Sequence, residues 1–281
     1  MAPRWQPLET VLERVEARGR AGRLLAQFTR FGLAQAGACA FAGCVFLGLG
    51  LSTVLPLPLA RYDALLVYLA AVTAVFWALR LESGRELLAI LGFHAVGLAF
   101  ELFKVQMGSW AYPEPALTKI GGVPLYSGFM YAAVGSYVTR AWRLLDLRLT
   151  GYRRAATAVV AAVVYLNFFA HHWLPDLRAL LAVAVLAVTW GTWVYFTVGR
   201  TRYRMPLALS FVLIGFFLWL AENLATLLGA WRYPDQAETW TMVSLSKFGS
   251  WTLLVTVSFV LVVAWKRRHA LVEDAPAGQS A

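Results

Sequence analysis

The sequence predicts an all-α integral membrane protein, and three observations carry that prediction. Of its 281 residues, 60% are hydrophobic and only 14% are charged, against roughly 25% charged in an average soluble domain. The apolar residues come in uninterrupted runs of about 20, the length that crosses a hydrocarbon core as a helix. The basic residues crowd into every second connection between those runs, as a topology signal does. So few charges could not cover a soluble surface, and the composition also excludes a disordered chain, a collagenous repeat and a disulfide scaffold.

Residues 1–30 are polar and Arg-rich. Leu8, Val11, Leu12 and Val15 fall on one helical stripe, with Glu9, Glu13, Arg14 and Glu16 elsewhere, so this segment reads as an amphipathic helix on the cytoplasmic membrane surface. Eight apolar stretches follow, at 31–53, 64–80, 87–107, 124–144, 155–172, 177–198, 206–228 and 242–265. Pro56, Pro58, Pro113, Pro115, Pro175 and Pro234 lie in the connections, and Pro124 and Pro206 open helices, where proline is tolerated. Lys266, Arg267 and Arg268 close the last stretch, and a polar tail over 267–281 completes the chain.

The net charge of +10 has its origin in orientation. Nineteen of the 25 Lys and Arg residues lie in 1–30, 80–86, 140–154, 199–205 and the end of the chain. The alternate connections hold only Arg61, Lys119, Arg178 and Arg232. This bias predicts a bacterial inner-membrane protein with eight transmembrane helices and both termini in the cytoplasm. Membrane lipid is the expected partner. Nucleic acid is not needed to explain the charge, no cofactor is expected, and the oligomeric state is not legible.

The chain also repeats itself. Glu101, Gly108, Trp110, Tyr112 and Pro113 recur as Glu222, Gly229, Trp231, Tyr233 and Pro234 at one offset of 121, which also relates Gly128 to Gly249. The same offset carries the first four stretches onto the last four. This predicts two parallel four-helix repeats, 31–150 and 151–266, about an axis normal to the membrane. A taste of membrane interfaces for aromatics explains the Trp and Tyr, but not a Glu, a Gly and a Pro at identical spacing.

Of the 15 acidic residues, only Glu101 and Glu222 lie well inside stretches, each seven residues before its Gly, roughly 10 Å below the helix end. A carboxylate there faces the interior or a water-filled cavity. Lys104, at i+3 from Glu101, and Lys247, entering the last stretch at the depth of Glu222, are the expected charge partners. Two readings stay open. The charges form ion pairs that fix packing, or Glu101 and Glu222 are titratable groups in a polar chamber. His94, two turns deeper than Glu101 on the same face, is a candidate proton relay, or a histidine bonded to a neighbouring helix. His171 and His172 close the fifth stretch, as interfacial caps or as part of a site; no metal-ligand spacing appears. Trp110, Tyr112, Trp231 and Tyr233, with Tyr126 and Asn223, are expected to line the chamber as an aromatic lid suited to a long apolar ligand, or else to form a plain interfacial belt.

The run Phe-Glu-Leu-Phe-Lys-Val-Gln-Met-Gly-Ser-Trp-Ala-Tyr-Pro-Glu-Pro from Phe100, followed by Gly-Gly-Val-Pro-Leu-Tyr-Ser-Gly-Phe-Met-Tyr from Gly121, resembles the YoaT-like family of bacterial multi-pass membrane proteins of unassigned function. That resemblance covers the third to eighth stretches and implies the fold but no mechanism. A second likeness, carried by Trp110, Tyr112, Gly122, Val123, Pro124 and Glu101, is to membrane-bound carotenoid hydratases and small-subunit lycopene cyclases, which work on polyene lipids by acid chemistry. The second half lacks the Gly-x-Pro, so this stands as analogy. Three functions follow as expectations. One is a binder of, or enzyme on, an isoprenoid-like lipid with Glu101 or Glu222 as the acid. The others are a proton-coupled transporter of a small solute and a non-catalytic scaffold.

Overall fold

The computed structural model describes residues 6–268, and the fold is mostly helical. The first five residues and the expected polar tail beyond Arg268 lie outside the described residues. Helix α1 (Gln6–Glu16) is the amphipathic segment, and it packs back on α2 (Arg20–Ala38). Arg30 of α2 ties the two together, bonding Glu9 at 3.0 Å and also reaching Glu16. Helix α2 runs into α3 (Ala40–Val54) through a 63° bend at Cys39. The expected first span is therefore a bent pair.

Helices α4 (Arg61–Ala78), α5 (Gly84–Gln106), α9 (Leu207–Leu227) and α10 (Ser246–Arg268) are each long and apolar enough to cross a membrane, and the α2–α3 pair makes a fifth if counted as one span. Helices α6 (Gly128–Leu144) and α7 (Arg154–Ala170) have 17 residues each and α8 (Arg178–Thr189) has 12, or about 25 and 18 Å at 1.5 Å per residue. These apolar helices are those of a membrane protein.

The chain is not all-α. The expected helix 177–198 stops at Thr189 and continues as strand β4. Three antiparallel strands, β3 (Arg148–Thr150), β4 (Trp193–Val198) and β5 (Thr201–Pro206), form a sheet in the order β3-β4-β5. The physical reason is local. Gly191 and Gly199 take positive φ, of 76° and 60°, which punctuates the apolar run. The segment between them, Trp-Val-Tyr-Phe-Thr-Val, is β-branched and aromatic, so it favours a strand over a helix. Tyr195 faces Arg204 and Val198 faces Thr201 across the hairpin. Arg202 stacks on Tyr195 and Arg204 on Trp193, 4.8 and 4.7 Å from the ring centres. A two-stranded β1 (Lys119–Ile120) and β2 (Val123–Pro124) ribbon precedes a single 3₁₀ turn over Leu125–Ser127 that leads into α6.

The connections gather at two ends of the bundle. At the Arg-rich end, Arg140 donates to the carbonyls of Gly37 and Leu81, Arg143 pairs with Glu86 at 2.9 Å, and the Thr197 N–H donates to the Leu145 carbonyl. At the opposite end, Arg61 donates to the carbonyls of Leu228 and Gly229, in the turn just after α9, and pairs with Glu114 at 2.7 Å. One apolar core lies among α3, α4, α5 and α6 around Phe41, Leu49, Tyr62 and Ile90. A second lies among α6 to α10 around Val164, Phe211, Leu253 and Val262. Helix α5 packs on α6 and α9 on α10, and the candidate site lies where these two pairs meet.

Candidate functional site: a chamber between two helix pairs

Helices α5 and α9 end in the same way. Met107 and Leu228 cap them with matching backbone angles, and Gly108 and Gly229 follow at φ 67° and 69°. That left-handed conformation is free of cost only for glycine, and it turns each chain back over its own helix end. The returning strands then meet. Ala111 and Arg232 exchange both backbone hydrogen bonds, each at 2.9 Å. The turns bring Tyr112 over Glu101 and Tyr233 over Glu222.

Each carboxylate sits in a ring of neutral donors. Glu101 accepts from Trp110 Nε1 at 2.6 Å and Tyr112 O–H at 2.8 Å on Oε2, and from Tyr131 O–H at 2.7 Å on Oε1. Glu222 accepts from the Tyr233 hydroxyl on Oε1 and from Trp251 Nε1 at 2.8 Å on Oε2. Burial first, and then the adjacent carboxylate, push the phenols of Tyr112 and Tyr233 well above their ordinary value. Tyr131 on α6 and Trp251 on α10 were not expected from the sequence, because they reach the carboxylates from different helices and aromatic residues are abundant throughout the chain.

The expected ion pairs do not form. Among the described residues, neither Lys104 nor Lys247 has a carboxylate oxygen within 4 Å. Lys104, though buried, donates to His172 Nε2 at 3.2 Å and lies over Phe100 and Phe168. Lys247 lies over the rings of Tyr233 and Trp110, at 4.5 and 5.7 Å. The tyrosine and tryptophan donors take the positions that the lysines would need.

A cavity of about 190 Å³ lies between the two helix pairs, walled by Glu101, Glu222, Lys104, Lys247, Arg178 and His171 together with Trp110, Trp231, Tyr233 and Trp251. Arg178, also unforeseen, is oriented by Asp176, which it contacts at 2.6 and 2.7 Å, and it donates to Ser250 at 2.9 Å. The Arg178 bonds hold the Asp176 carboxyl below its ordinary range. Of the expected lining residues, Tyr112 stands behind Glu101 as a donor. Tyr126 is fully buried and donates to the Ala230 carbonyl at 2.6 Å, and Asn223 bonds Trp219 and the Val243 N–H; both fasten the walls. His94 makes no link to Glu101. Its ring packs on Phe129, 4.5 Å between centres, and its Nδ1 is buried without a partner. His171 Nδ1 faces the carbonyls of Asn167 and Phe168, and its ring lies 4.3 Å from that of His172. No cluster of three or more His, Cys, Asp or Glu is placed to hold a metal among the described residues.

A second, narrower space of about 50 Å³ adjoins the chamber. Phe100, Tyr131, Val134, Leu218, Trp251 and Leu254 border both. Its remaining walls are apolar apart from Tyr165 and Ser258, and two of them, Val96 and Leu261, are 45% and 43% exposed on the outside of the bundle.

Residues 27–259 match the family model described as "Protein of unknown function (DUF817)". The chain is similar to a Bacillus subtilis (strain 168) protein described as "Uncharacterized protein YoaT", at 51% identity over 249 residues, covering 87% of this chain and 94% of that one. No solved structure matches. Model and relative agree that this chain belongs to the DUF817, YoaT-like family.

Proposed function

We propose that this chain is a polytopic protein of the bacterial inner membrane that binds a long-chain amphiphile between its two helix pairs. One observation carries this reading: a polar chamber and an apolar slot share six wall residues, so a head group and the start of a tail have adjoining places. The slot is bordered by side chains on the bilayer-facing surface, Val96 and Leu261, which gives a lipid a lateral way in. Pockets of this kind, apolar with a few converging polar groups, suit ligand binding.

Glu222 is the carboxylate we assign to the ligand. Glu101 accepts three hydrogen bonds and Glu222 two, so Glu222 keeps more free accepting capacity. It would orient a hydroxyl or serve as the acid if the bound lipid is also transformed. An isoprenoid-like chain fits the aromatic walls. In orientation, the Arg-rich end is the cytoplasmic one and both termini lie there, supported by the 19 basic residues of the alternate connections. The eight apolar elements form two parallel halves offset by 121 residues. The reciprocal bond of Ala111 and Arg232 and the matched turns at Gly108 and Gly229 support this.

The test is mass spectrometry of lipids retained by the purified full chain, compared with a Leu218→Trp variant that fills the slot. A stoichiometric long-chain lipid lost in the variant supports the reading. Equal lipid profiles, together with proton-dependent solute uptake into vesicles, would replace it with a transporter.

A further inference from the structure

The chamber is electrically uneven along the membrane normal. Glu101 lies three residues deeper in α5 than Lys104, about one helical turn. Lys247 is the second residue of α10 and Arg178 the first of α8, so all three cations stand nearer the outer helix ends than the carboxylates. The floor is acidic and the rim is basic. The floor is also internally satisfied, because Trp110, Tyr112, Tyr131, Tyr233 and Trp251 supply its donors without using a cation.

Among the described residues, the two lysines of the rim have no carboxylate in contact. Lys104 is 3% exposed, and its one polar partner is a histidine ring nitrogen. Lys247 rests on aromatic faces. Lys104 is close enough to Lys247 and Arg178 to be repelled by both, while Lys247 is also drawn by Glu222. An ammonium held as Lys104 is, buried with no carboxylate in contact, is costly, and it marks a place where an anion belongs. Arg178 is already oriented by Asp176 and keeps its Nη1 turned to Ser250 on the chamber wall.

We propose that Lys104, Lys247 and Arg178 form an oxyanion-binding rim that receives a phosphate or carboxylate head group. The inference rests on the chamber-and-slot reading for its tail, since the same rim would also hold a soluble oxyanion. Lys104 and Lys247 supply mobile point charges from opposite helix pairs, and Arg178 supplies a fixed planar donor. Binding would thus draw α5 and α10 together across the chamber. The ligand's head lies above the carboxylate floor and its first methylenes run past Trp251 and Leu218 into the slot.

The experiment measures binding of tritiated hexadecyl phosphate and tritiated hexadecanoate to the full chain in nanodiscs of neutral phosphatidylcholine. Saturable binding of one of these at one per chain is expected. Unlabelled anion should displace it, and hexadecanol should not. Lys104→Gln and Lys247→Gln should each weaken it on the order of tenfold, while Lys104→Arg and Lys247→Arg retain it, which separates charge from folding. Displacement by hexadecanol with no effect of the Gln variants overturns the oxyanion rim and leaves the slot standing. Displacement by acetate or inorganic phosphate at the same concentrations as the long-chain anion supports the rim and overturns the slot. Absence of saturable binding for both probes overturns the rim.

Discussion

Ala111 and Arg232 exchange both of their backbone hydrogen bonds, each 2.9 Å long, although 121 residues separate them. The pair is one hydrogen-bonded rung of an antiparallel bridge, and it ties the turn after α5 to the turn after α9. On either side of that bridge, Tyr112 bonds Glu101 and Tyr233 bonds Glu222. The bridge therefore sets the height of both tyrosines over both carboxylates.

Replacing Glu101 by Leu should destabilise the chain more than replacing Glu222 by Leu. A leucine side chain accepts no hydrogen bond, which leaves three donors unpaired at position 101 and two at position 222. Each buried donor left unpaired costs about 1–3 kcal/mol. Unfolding of the purified variants in one detergent checks the order, and a reversed order would refute the donor-ring account.

Gly97 is required by contact. A Cβ there would lie 2.3 Å from Cγ of Tyr131, the residue that bonds Glu101 Oε1. Gly97→Ala should cost about 1–3 kcal/mol through overpacking, and it should release Tyr131. Tyr131→Phe combined with Gly97→Ala should cost less than the sum of the two, as coupled neighbours do.

Arg61, the first residue of α4, ties that helix to the turn after α9, donating to the Leu228 and Gly229 carbonyls and pairing with Glu114. Arg61→Ala leaves the carbonyls of the turn that follows α9 without those donors. A loss of about 1–3 kcal/mol is expected, from hydrogen bonds to a charged group. Arg61→Lys should recover only part of it, because a single ammonium cannot reproduce the planar fork. Proteolysis at the 108–124 and 229–245 connections provides the readout.

High pH should unfold the chain through the tyrosines. Burial and the neighbouring carboxylates raise the phenols of Tyr112 and Tyr233 well above the ordinary value near 10. A group with a raised folded pKa gives stability that is complete below its unfolded pKa and declines as pH rises past it toward the folded value. Stability measured above pH 10 should therefore fall more steeply in the parent chain than in the Tyr112→Phe, Tyr233→Phe double variant. Equal slopes would contradict the assignment.

The sequence disclosed this site unevenly, for physical reasons. Glu101 and Glu222 stood out because charge is rare in so apolar a background. The turn residues Gly108, Trp110, Tyr112 and their counterparts stood out because a local chain reversal writes itself into consecutive positions. The carboxylates' donors from α6 and α10 did not, since Tyr131 and Trp251 depend on helix packing that no spacing rule reports. Lys104 looked like a partner of Glu101 at i+3, but the indole and phenol donors occupy both oxygens of that carboxylate, and the lysine turns to His172 instead. Strand β4 read as the end of a span because an apolar run of six does not declare its period. Only its β-branched content and its flanking Gly191 and Gly199 pointed to a strand.

An experimental density map of the full chain in nanodiscs of its native lipids tests the central claim most directly. The account predicts one elongated ligand per chain, its head between Lys104, Lys247 and Arg178 and its tail passing Leu218 and Trp251 to emerge beside Val96 and Leu261. A chamber holding only water, with the slot closed by its own side chains, would contradict it.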